Sequence, residues 1–410
     1  MFKRITDRNI WVIYAAIVLL GVAYGTSIAV LAIHLDKNQI PKLEMGGLAA
    51  AFALGIAAFA IPAGVLVRKI GAKKTLLVAL LGYAVCVTTF PFLKTLPALA
   101  AARFFDGAFS ANVWVAAETA LLARSSRTNK AFVMSLYAVS LALGYVLGPL
   151  LARGLVPATG TPGTFVASGV LGVVAALVVA TQLQDAKLIA EGEATTDESS
   201  ATERASAFLV FWRMKTSCFA TFSYGYFQAA VVLYLPLFLI KKKGVSEEET
   251  ILVTAFFAAG MLVMSTWVSR IGDRIGHLLV MRVLALVGGS MVASFVFLPS
   301  FWMMCVAVFV AGATLASISP VSLALSGVVT PKRDLDRANG FYNAAYAAGM
   351  LVGPPIAGAL FDNYGGGAML FQLAGLWGCF VLFTVVFAND DPARRDATRP
   401  SNASRASLEA

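Results

Sequence analysis

The chain has 410 residues, of which 59% are hydrophobic and only 13% are charged, and its mean hydropathy is +0.79. This composition excludes a soluble globular protein, which would need far more polar surface at this length. The net charge of +10 arises mostly from basic residues in the connections between apolar runs. We therefore expect the chain to meet a lipid bilayer and no nucleic acid.

Twelve apolar runs predict twelve transmembrane helices, because each is about the length that spans a bilayer core. The first run starts with basic residues but is too long for a signal peptide and has no small-residue cleavage site after it, so it is expected to remain as helix 1. In chain order, helices 1 to 12 are predicted at residues 10–33, 45–67, 75–93, 96–123, 131–152, 163–183, 216–240, 250–269, 277–298, 301–329, 339–361 and 366–388.

Basic residues predict the orientation of these helices. Counted with Arg282 near the same end of helix 9, 24 of the 32 lysines and arginines belong to the N-terminus, the loops after even-numbered helices and the C-terminal tail, whereas 7 belong to the other loops. The side that is rich in basic residues is normally cytoplasmic. Both termini are therefore expected in the cytoplasm, although Lys241–Lys243 fall on the other side, close to the acidic run Glu247–Glu249.

One polar segment divides the chain into two halves. Residues 184–206 hold six acidic and two basic residues and almost no apolar mass, which predicts a flexible cytoplasmic linker. A regulatory docking segment is the alternative interpretation. The expected domains are an N-terminal six-helix lobe at 1–183, a C-terminal six-helix lobe at 207–390 and a polar cytoplasmic tail at 391–410.

The two halves repeat one another at an offset of 205 residues. Two separate motifs keep this register, which is typical of a membrane transporter built from two lobes with a pathway between them. The matched positions include Tyr137 with Tyr342, Gly144 with Gly349, Gly148 with Gly353, Pro149 with Pro354, Gly107 with Gly312, and Gly71 with Gly276.

With twelve spans and this repeat, residues 8–390 resemble the major facilitator superfamily. The family's signature after helix 2, roughly Gly-x-Leu-Ala-Asp-Arg-x-Gly-Arg-Lys, is matched from Gly64 to Gly71, except that Arg68 stands in place of the acid. The second copy keeps the acid, as Asp273-Arg274-Ile-Gly276. The resemblance implies a cytoplasmic brace between the lobes, in which the first half either uses a different acidic partner or forms a weaker brace.

Helices 4 and 5 carry two further likenesses to this family. Arg103-Phe-Phe-Asp106-Gly107 resembles its Arg-x-x-Gln-Gly signature, with Asp in place of Gln. Gly144-x-x-x-Gly148-Pro149 is similar to the signature of proton-driven antiporters, although Ala152-Arg153 stand where that signature has paired glycines. Glycines four apart let two helices approach closely and proline bends a helix. Either gating or simple close packing therefore explains this motif and its second copy, Gly349, Gly353 and Pro354.

Charges inside the predicted spans are rare and each needs a partner or a wet cavity. Asp106 and Glu118, both on helix 4, are the two acids within them. Arg103 and Asp106 are three residues apart and share a helix face, so they form either a structural ion pair or a proton or solute site. Glu118 is expected closer to the cytoplasm, where Arg68 or Arg124 would pair with it.

The resemblance also implies that helices 1, 4, 7 and 10 line a central cavity. Aromatic rings with a few hydroxyls and one amide suit an amphipathic organic solute, although each ring has a packing role as its alternative. The candidate cavity residues are Tyr24, Ser27, Tyr224, Tyr226, Phe227, Gln228, Tyr342, Asn343 and Tyr346.

The sequence favours a secondary transporter over an enzyme. It contains no soluble catalytic domain and no phosphate-binding loop, and its four cysteines and two histidines have no metal-site spacing, so no cofactor or metal is expected. The first hypothesis is proton-coupled efflux of an amphipathic solute by a monomer in a bacterial inner membrane. Proton symport of a polar nutrient is the alternative. A lipid-headgroup flippase and a non-transporting membrane sensor also remain open.

Overall fold

The computed structural model describes residues 7–125, 130–184, 206–331 and 334–390. The predicted all-helical architecture is confirmed, since these ranges contain twelve long helices and no strand. A short helix, Ala207–Arg213, precedes α7. The helices are Arg8–Lys37 (α1), Lys42–Ile70 (α2), Ala72–Thr89 (α3), Leu96–Arg124 (α4), the run Lys130–Gln182 (α5 and α6, which meet at Gly160), Lys215–Lys243 (α7), Glu247–Ile275 (α8), His277–Ser294 (α9), Phe301–Val329 (α10) and the run Leu335–Val386 (α11 and α12, which meet at Gly365).

The connections between helices 5 and 6 and between helices 11 and 12 differ from the prediction. The expected loops at 153–162 and 362–365 are continuations of helices, each interrupted only at one glycine. Helical backbone satisfies its own hydrogen bonds near the bilayer, which favours such continuation. Pro162 follows Gly160 closely, at the start of α6, where a proline loses no helical hydrogen bond.

The repeat extends to the backbone conformation. Each residue with a positive φ in the described ranges has a partner 205 positions away in the other half. Five of the six are glycines, because side chains disfavour this region, and the other is Gln39. The pairs are Gln39 (57°) with Gly244 (65°), Gly71 (89°) with Gly276 (102°), and Gly160 (64°) with Gly365 (84°).

Equivalent glycines also bring equivalent helices into contact. A Cβ atom at Gly55 of α2 would collide with the backbone of α4, and one at Gly107 of α4 would collide with the backbone of α2. The same relation joins Gly260 of α8 and Gly312 of α10, again 205 residues later. Small residues at such crossings let membrane helices pack backbone to backbone.

The burial of the helices agrees with two six-helix lobes in a membrane. The most hydrophobic windows of α1 and α7 are each 78% buried, whereas α3, α6, α9 and α12 direct large apolar side chains outward. Inside each lobe, α1 packs mainly on the α5–α6 run and α7 on the α11–α12 run. Among the outward-facing residues are Val85, Val170, Leu286 and Val385.

The break between α11 and α12 gives a test of this account. Gly365 and Gly375 lie in the same helical run, and a Cβ atom at either would meet nothing within 4 Å, but only Gly365 has a positive φ. We expect Gly365→Ala to destabilise the protein by about 1–2 kcal/mol because of the left-handed backbone. Gly375→Ala should leave the thermal midpoint in detergent unchanged or raised. Equal midpoints for both variants would contradict the argument.

Candidate functional site

The two lobes meet at one end of the bundle, which we call the far side because both ends of the described chain lie at the other end, the termini side. Asp36 of α1 accepts hydrogen bonds from Lys42 of its own lobe and, at 2.7 Å, from Lys241 of the other lobe. Lys37 donates to Glu247 across the same boundary at 2.6 Å. These ion pairs form the polar part of a far-side seam.

Backbone contacts complete the far-side seam. The Tyr234 hydroxyl lies 2.6 Å from the carbonyl oxygen of Lys42 and 2.9 Å from that of Pro354. A Cβ atom at Gly46 of α2 would lie 2.5 Å from the Pro354 carbonyl oxygen. Pro354, one of the candidate gating residues, therefore lies where α11 touches the other lobe, and the seam is closely packed.

Among the residues that the structure describes, no hydrogen bond or ion pair joins the two lobes on the termini side. Cβ atoms at Gly64, Gly71 and Gly340 would each meet nothing within 4 Å. Arg68 and Arg274 are exposed, and neither forms an ion pair with any residue that the structure describes. The side chain of Asp273 lies outside the described part of the chain, and Gly276 caps α8 with a positive φ. In the described part of the chain, the polar contacts between the lobes are therefore confined to the far side.

Arg103 and Asp106 form a buried ion pair on α4. Their side chains are 13% and 9% exposed, and the guanidinium lies 4.3 Å from the ring centre of Phe52. Asp106 Oδ1 and Arg103 Nε have no hydrogen-bond partner. Ser110, one turn further along α4, donates to the Asp106 carbonyl oxygen at 2.7 Å and accepts a hydrogen bond from Tyr24. The pair is thus enclosed but incompletely satisfied.

The pair opens onto a small cavity within the N-terminal lobe. Helices α1, α3, α4 and α6, with the turn after α3, supply its walls, and no residue of the C-terminal lobe lines it. Asp106 therefore faces the interior of one lobe and not the space between the two. The lining residues are Ser27, Ile28, Leu31, Cys86, Val87, Phe90, Ala102, Arg103, Asp106 and Phe165.

A set of tyrosines joins the two lobes above this cavity. Tyr24 stacks on Tyr145 of α5 with ring centres 6.3 Å apart. Tyr145 is close enough to Tyr224 and Tyr346 for electrostatic interactions across the lobe boundary. Tyr224 and Tyr346 stack at 6.1 Å, and Tyr346 donates to the side-chain oxygen of Gln228 at 2.8 Å.

Four of the predicted cavity residues are thus brought together, and one partner was missed. Tyr24, Tyr224, Gln228 and Tyr346 lie around Tyr145, which the sequence analysis did not select. The sequence feature that could have identified Tyr145 is its position directly after Gly144, the first glycine of the helix 5 motif. Helix α5 packs against both lobes, so an aromatic residue next to the glycine face can reach the boundary between them.

Four other predicted cavity residues lie elsewhere in the C-terminal lobe. Tyr226 accepts a hydrogen bond from Gln372 of α12, and Phe227 packs between Phe257 and Trp377. These contacts belong to the interior of that lobe. The hydroxyl of Tyr342 is bonded to Ser319 and Ser322 of α10, and Asn343 is exposed with its amide on the carbonyl oxygen of Asn339.

Glu118 is partly buried on α4, and no lysine or arginine in the described ranges pairs with it. Arg124, its expected partner, binds Asp7 at 3.1 Å and the carbonyl oxygen of Gln184 at 2.5 Å. The guanidinium therefore ties the end of α4 to the start of α1 and the end of α6. Glu118 is left without a compensating charge.

The glycines of the repeated motif pack inside their own lobes. Cβ atoms at Gly144 and Gly148 would lie 2.5 Å from backbone atoms of α1, and Pro149 lies against Gly25. Gly349 and Gly353 approach the backbone of α7 in the same way. Their geometry supports the close-packing interpretation of the motif.

The buried ion pair on α4 predicts non-additive stability. Asp106→Ala should destabilise the protein by about 3 kcal/mol, because Arg103 would remain buried and charged. The double variant Arg103→Met with Asp106→Leu should recover most of that loss by replacing the pair with apolar side chains of similar size. Thermal unfolding in detergent measures both. Additive losses in the double variant would contradict the pairing.

Comparison with known proteins agrees with this architecture. The sequence profile of the Major Facilitator Superfamily matches residues 10–246 and 217–410. The MFS-type transporter MJ1560 of Methanocaldococcus jannaschii is 22% identical over 93% of this chain and 96% of its own length, and YcaD of Escherichia fergusonii is 22% identical over 91% and 94%.

Solved structures share the fold. The nucleoside transporter NupG superposes with a TM-score of 0.75 at 12% identity, covering 93% of this chain and 99% of its own. A bacterial homologue of the lysosomal transporter Spinster, solved inward-facing and occupied, has a TM-score of 0.72 at 14% identity, with 93% and 95% covered. The chain belongs to the Major Facilitator Superfamily and is a multi-pass membrane transporter.

Proposed function

We propose that the protein is a secondary transporter that exports a small amphipathic organic solute from the cytoplasm by alternating access, coupled to proton entry. The observation that carries the proposal is the asymmetric closure of the bundle. Within the described residues, the hydrogen bonds and ion pairs between the lobes all lie at the far-side seam, whereas Cβ atoms at Gly64 and Gly340 on the termini side would meet nothing within 4 Å. Two lobes that rock about a central site expose it to each side in turn.

The orientation follows from the basic residues. The termini side carries most of them, so we assign it to the cytoplasm of a bacterial inner membrane. The conformation described above is then the inward-open state. In the outward-open state, the seam around Asp36 and Pro354 would separate. Helices α2 and α11 run antiparallel to each other from the contact of Gly46 with Pro354. Their other ends would then approach each other near Ala60 and Gly340.

Crosslinking tests the alternation directly. In a chain whose four cysteines are replaced by serine, a short thiol crosslinker should join Lys37→Cys to Glu247→Cys and abolish transport, because the seam cannot open. The pair Ala60→Cys with Gly340→Cys should react only when the far side opens, so a transported compound should increase its yield and decrease that of the first pair.

Each single-cysteine variant controls for modification without a bridge and should transport normally with the crosslinker present. Full transport by the bridged Lys37→Cys and Glu247→Cys protein would contradict alternating access through this seam. Equal yields for both pairs in every condition would contradict the assignment of two states.

Proton coupling is assigned to Asp106. It is enclosed with Arg103 in a cavity of the N-terminal lobe, and one carboxylate oxygen has no partner. Tyr24 connects this region to the tyrosines between the lobes through Ser110. A carboxylate that alternates between the ionised and the protonated form can link a proton gradient to movement of the lobes.

We expect Asp106→Asn to abolish accumulation driven by a pH gradient and to retain exchange without one, because the amide keeps a polar partner for Arg103 but cannot ionise. Solute and proton fluxes in proteoliposomes measure this across a panel of amphipathic compounds. Glu248→Gln, which neutralises an exposed acid, is the matched control and should behave as wild type. Full gradient-driven accumulation by Asp106→Asn would refute the assignment, and inward accumulation by the wild type would favour proton symport of a nutrient.

A further inference from the structure

The two lobes differ most clearly in the charge of one equivalent helix pair. Helix α10 is the repeat partner of α4, yet the embedded charges of α4 have apolar counterparts in α10. The two lobes therefore have equivalent backbones, but at these positions α4 carries charged side chains within the membrane where α10 carries apolar ones. The substituted pairs are Arg103 with Val308, Asp106 with Ala311, and Glu118 with Leu323.

The neighbour of Glu118 on α5 shows the same asymmetry. In the C-terminal lobe, the hydroxyl of Tyr342 is 2.7 Å from the carbonyl oxygen of Ser319 and 2.9 Å from the hydroxyl of Ser322. The equivalent Tyr137 has no serine at the matching positions of α4, and it lies within electrostatic range of Glu118. The serines that hold Tyr342 are replaced by Trp114 and Ala117 in the N-terminal lobe, and the carboxylate of Glu118 lies next to them in the chain.

This carboxylate is uncompensated within the part of the chain that the structure describes. Arg103 is occupied by Asp106 and Arg124 by Asp7, so neither basic residue of α4 neutralises Glu118. One turn before Glu118, the indole N–H of Trp114 is buried without a hydrogen-bond partner. A charged group and a polar donor left unsatisfied on one stripe of a membrane helix indicate a place for a ligand.

Aromatic rings lead from Glu118 to the boundary of the lobes. Tyr137 and Tyr145 lie eight residues apart on α5, which corresponds to about 12 Å along a helix. Tyr145 lies within electrostatic range of Tyr224 and Tyr346 of the other lobe, and these two rings stack on each other. Glu118 therefore lies at one end of a series of tyrosines that leads to the boundary of the lobes.

We propose that the transported solute is an organic monocation with an apolar or aromatic body, whose charge is neutralised by Glu118 and whose body lies against Tyr145 and Tyr346. Ring faces attract cations, and a carboxylate in a site of low dielectric constant repels anions. A neutral polar solute would leave the charge of Glu118 uncompensated. This inference rests on the proposed transport function and specifies its solute class.

Binding of tetraphenylphosphonium to the purified full-length protein in detergent tests the charge requirement. We expect saturable binding by the wild type and a loss of affinity of about tenfold or more in Glu118→Gln, since one compensating charge is removed. Glu118→Asp should retain most of the affinity. Glu248→Gln is the matched control for a neutralised acid and should bind as wild type does.

Variants of Tyr346 distinguish binding of the cation by ring stacking from binding by a hydrogen bond. Tyr346→Phe keeps the ring face and should bind tetraphenylphosphonium nearly as the wild type does, whereas Tyr346→Ala should weaken binding severalfold. The melting temperature of each variant, measured without the probe, shows whether the protein is folded. Equal losses in Tyr346→Phe and Tyr346→Ala would place the cation away from this ring.

Two outcomes would overturn the proposal. One is wild-type affinity for tetraphenylphosphonium in a folded Glu118→Gln variant. The other is transport in proteoliposomes of neutral or anionic aromatic compounds from the panel, with no binding or transport of cationic ones. The second outcome would leave the transporter assignment intact and reject only the solute class, whereas failure of the crosslinking test would reject the alternation of the lobes itself.

Discussion

A charge inside a bilayer must find its partner within the protein, and this constraint explains where the polar chemistry of the molecule lies. Asp36 and Lys241 meet at the far end of the helices, next to water. Arg103 and Asp106, deeper in α4, neutralise each other inside one lobe. Of the two acids of α4, Glu118 has no ion-pair partner among the described residues, which is why we propose it as the partner of an external cation.

The duplicated backbone makes this asymmetry interpretable. Equivalent positive-φ residues and equivalent glycine contacts show that the two lobes follow one structural plan. Glu118 occupies the position equivalent to Leu323 on an equivalent helix, so the two positions differ in their side chains and not in their backbone. The acids that we assign to the proton and to the solute, Asp106 and Glu118, both belong to one lobe, while the other lobe contributes rings and an amide. Movement between the lobes then changes the surroundings of these acids.

The sequence predicted the helices and the repeat because both depend on periodic apolar runs and on glycines that any copy of the backbone requires. It placed Tyr24, Tyr224, Gln228 and Tyr346 at the boundary of the lobes. It could not orient Tyr226 and Phe227, because successive helix residues point about 100° apart and several faces of α7 are apolar.

Other features of the site depend on tertiary contacts that no local pattern encodes. The cavity next to Asp106 requires α1, α3, α4 and α6 to converge, and its walls come from distant parts of the chain. The pairing of Arg124 with Asp7 joins residues 117 positions apart. Sequence reasoning assigned that arginine to Glu118 because they are neighbours on one helix, whereas the folded lobe supplied a different acid.

If the conformation is the inward-open state that we propose, the far-side seam must stabilise it without trapping the protein in it. Lys37 and Lys241 are 51% and 47% exposed, so their ion pairs contribute on the order of 1 kcal/mol or less each. The close approach of Gly46 to Pro354 gives the seam its shape, and the hydrogen bond donated by the Tyr234 hydroxyl contributes about 1 kcal/mol. A total of a few kcal/mol is within the range that differential binding of one solute can supply, since shifting a two-state equilibrium from 1:99 to 99:1 takes about 5.5 kcal/mol. The proposed solute would have its charge neutralised at Glu118 and its body between Tyr145 and Tyr346. It would gain the full binding free energy only when both lobes close around it. Occupancy of the site is thereby linked to opening of the seam.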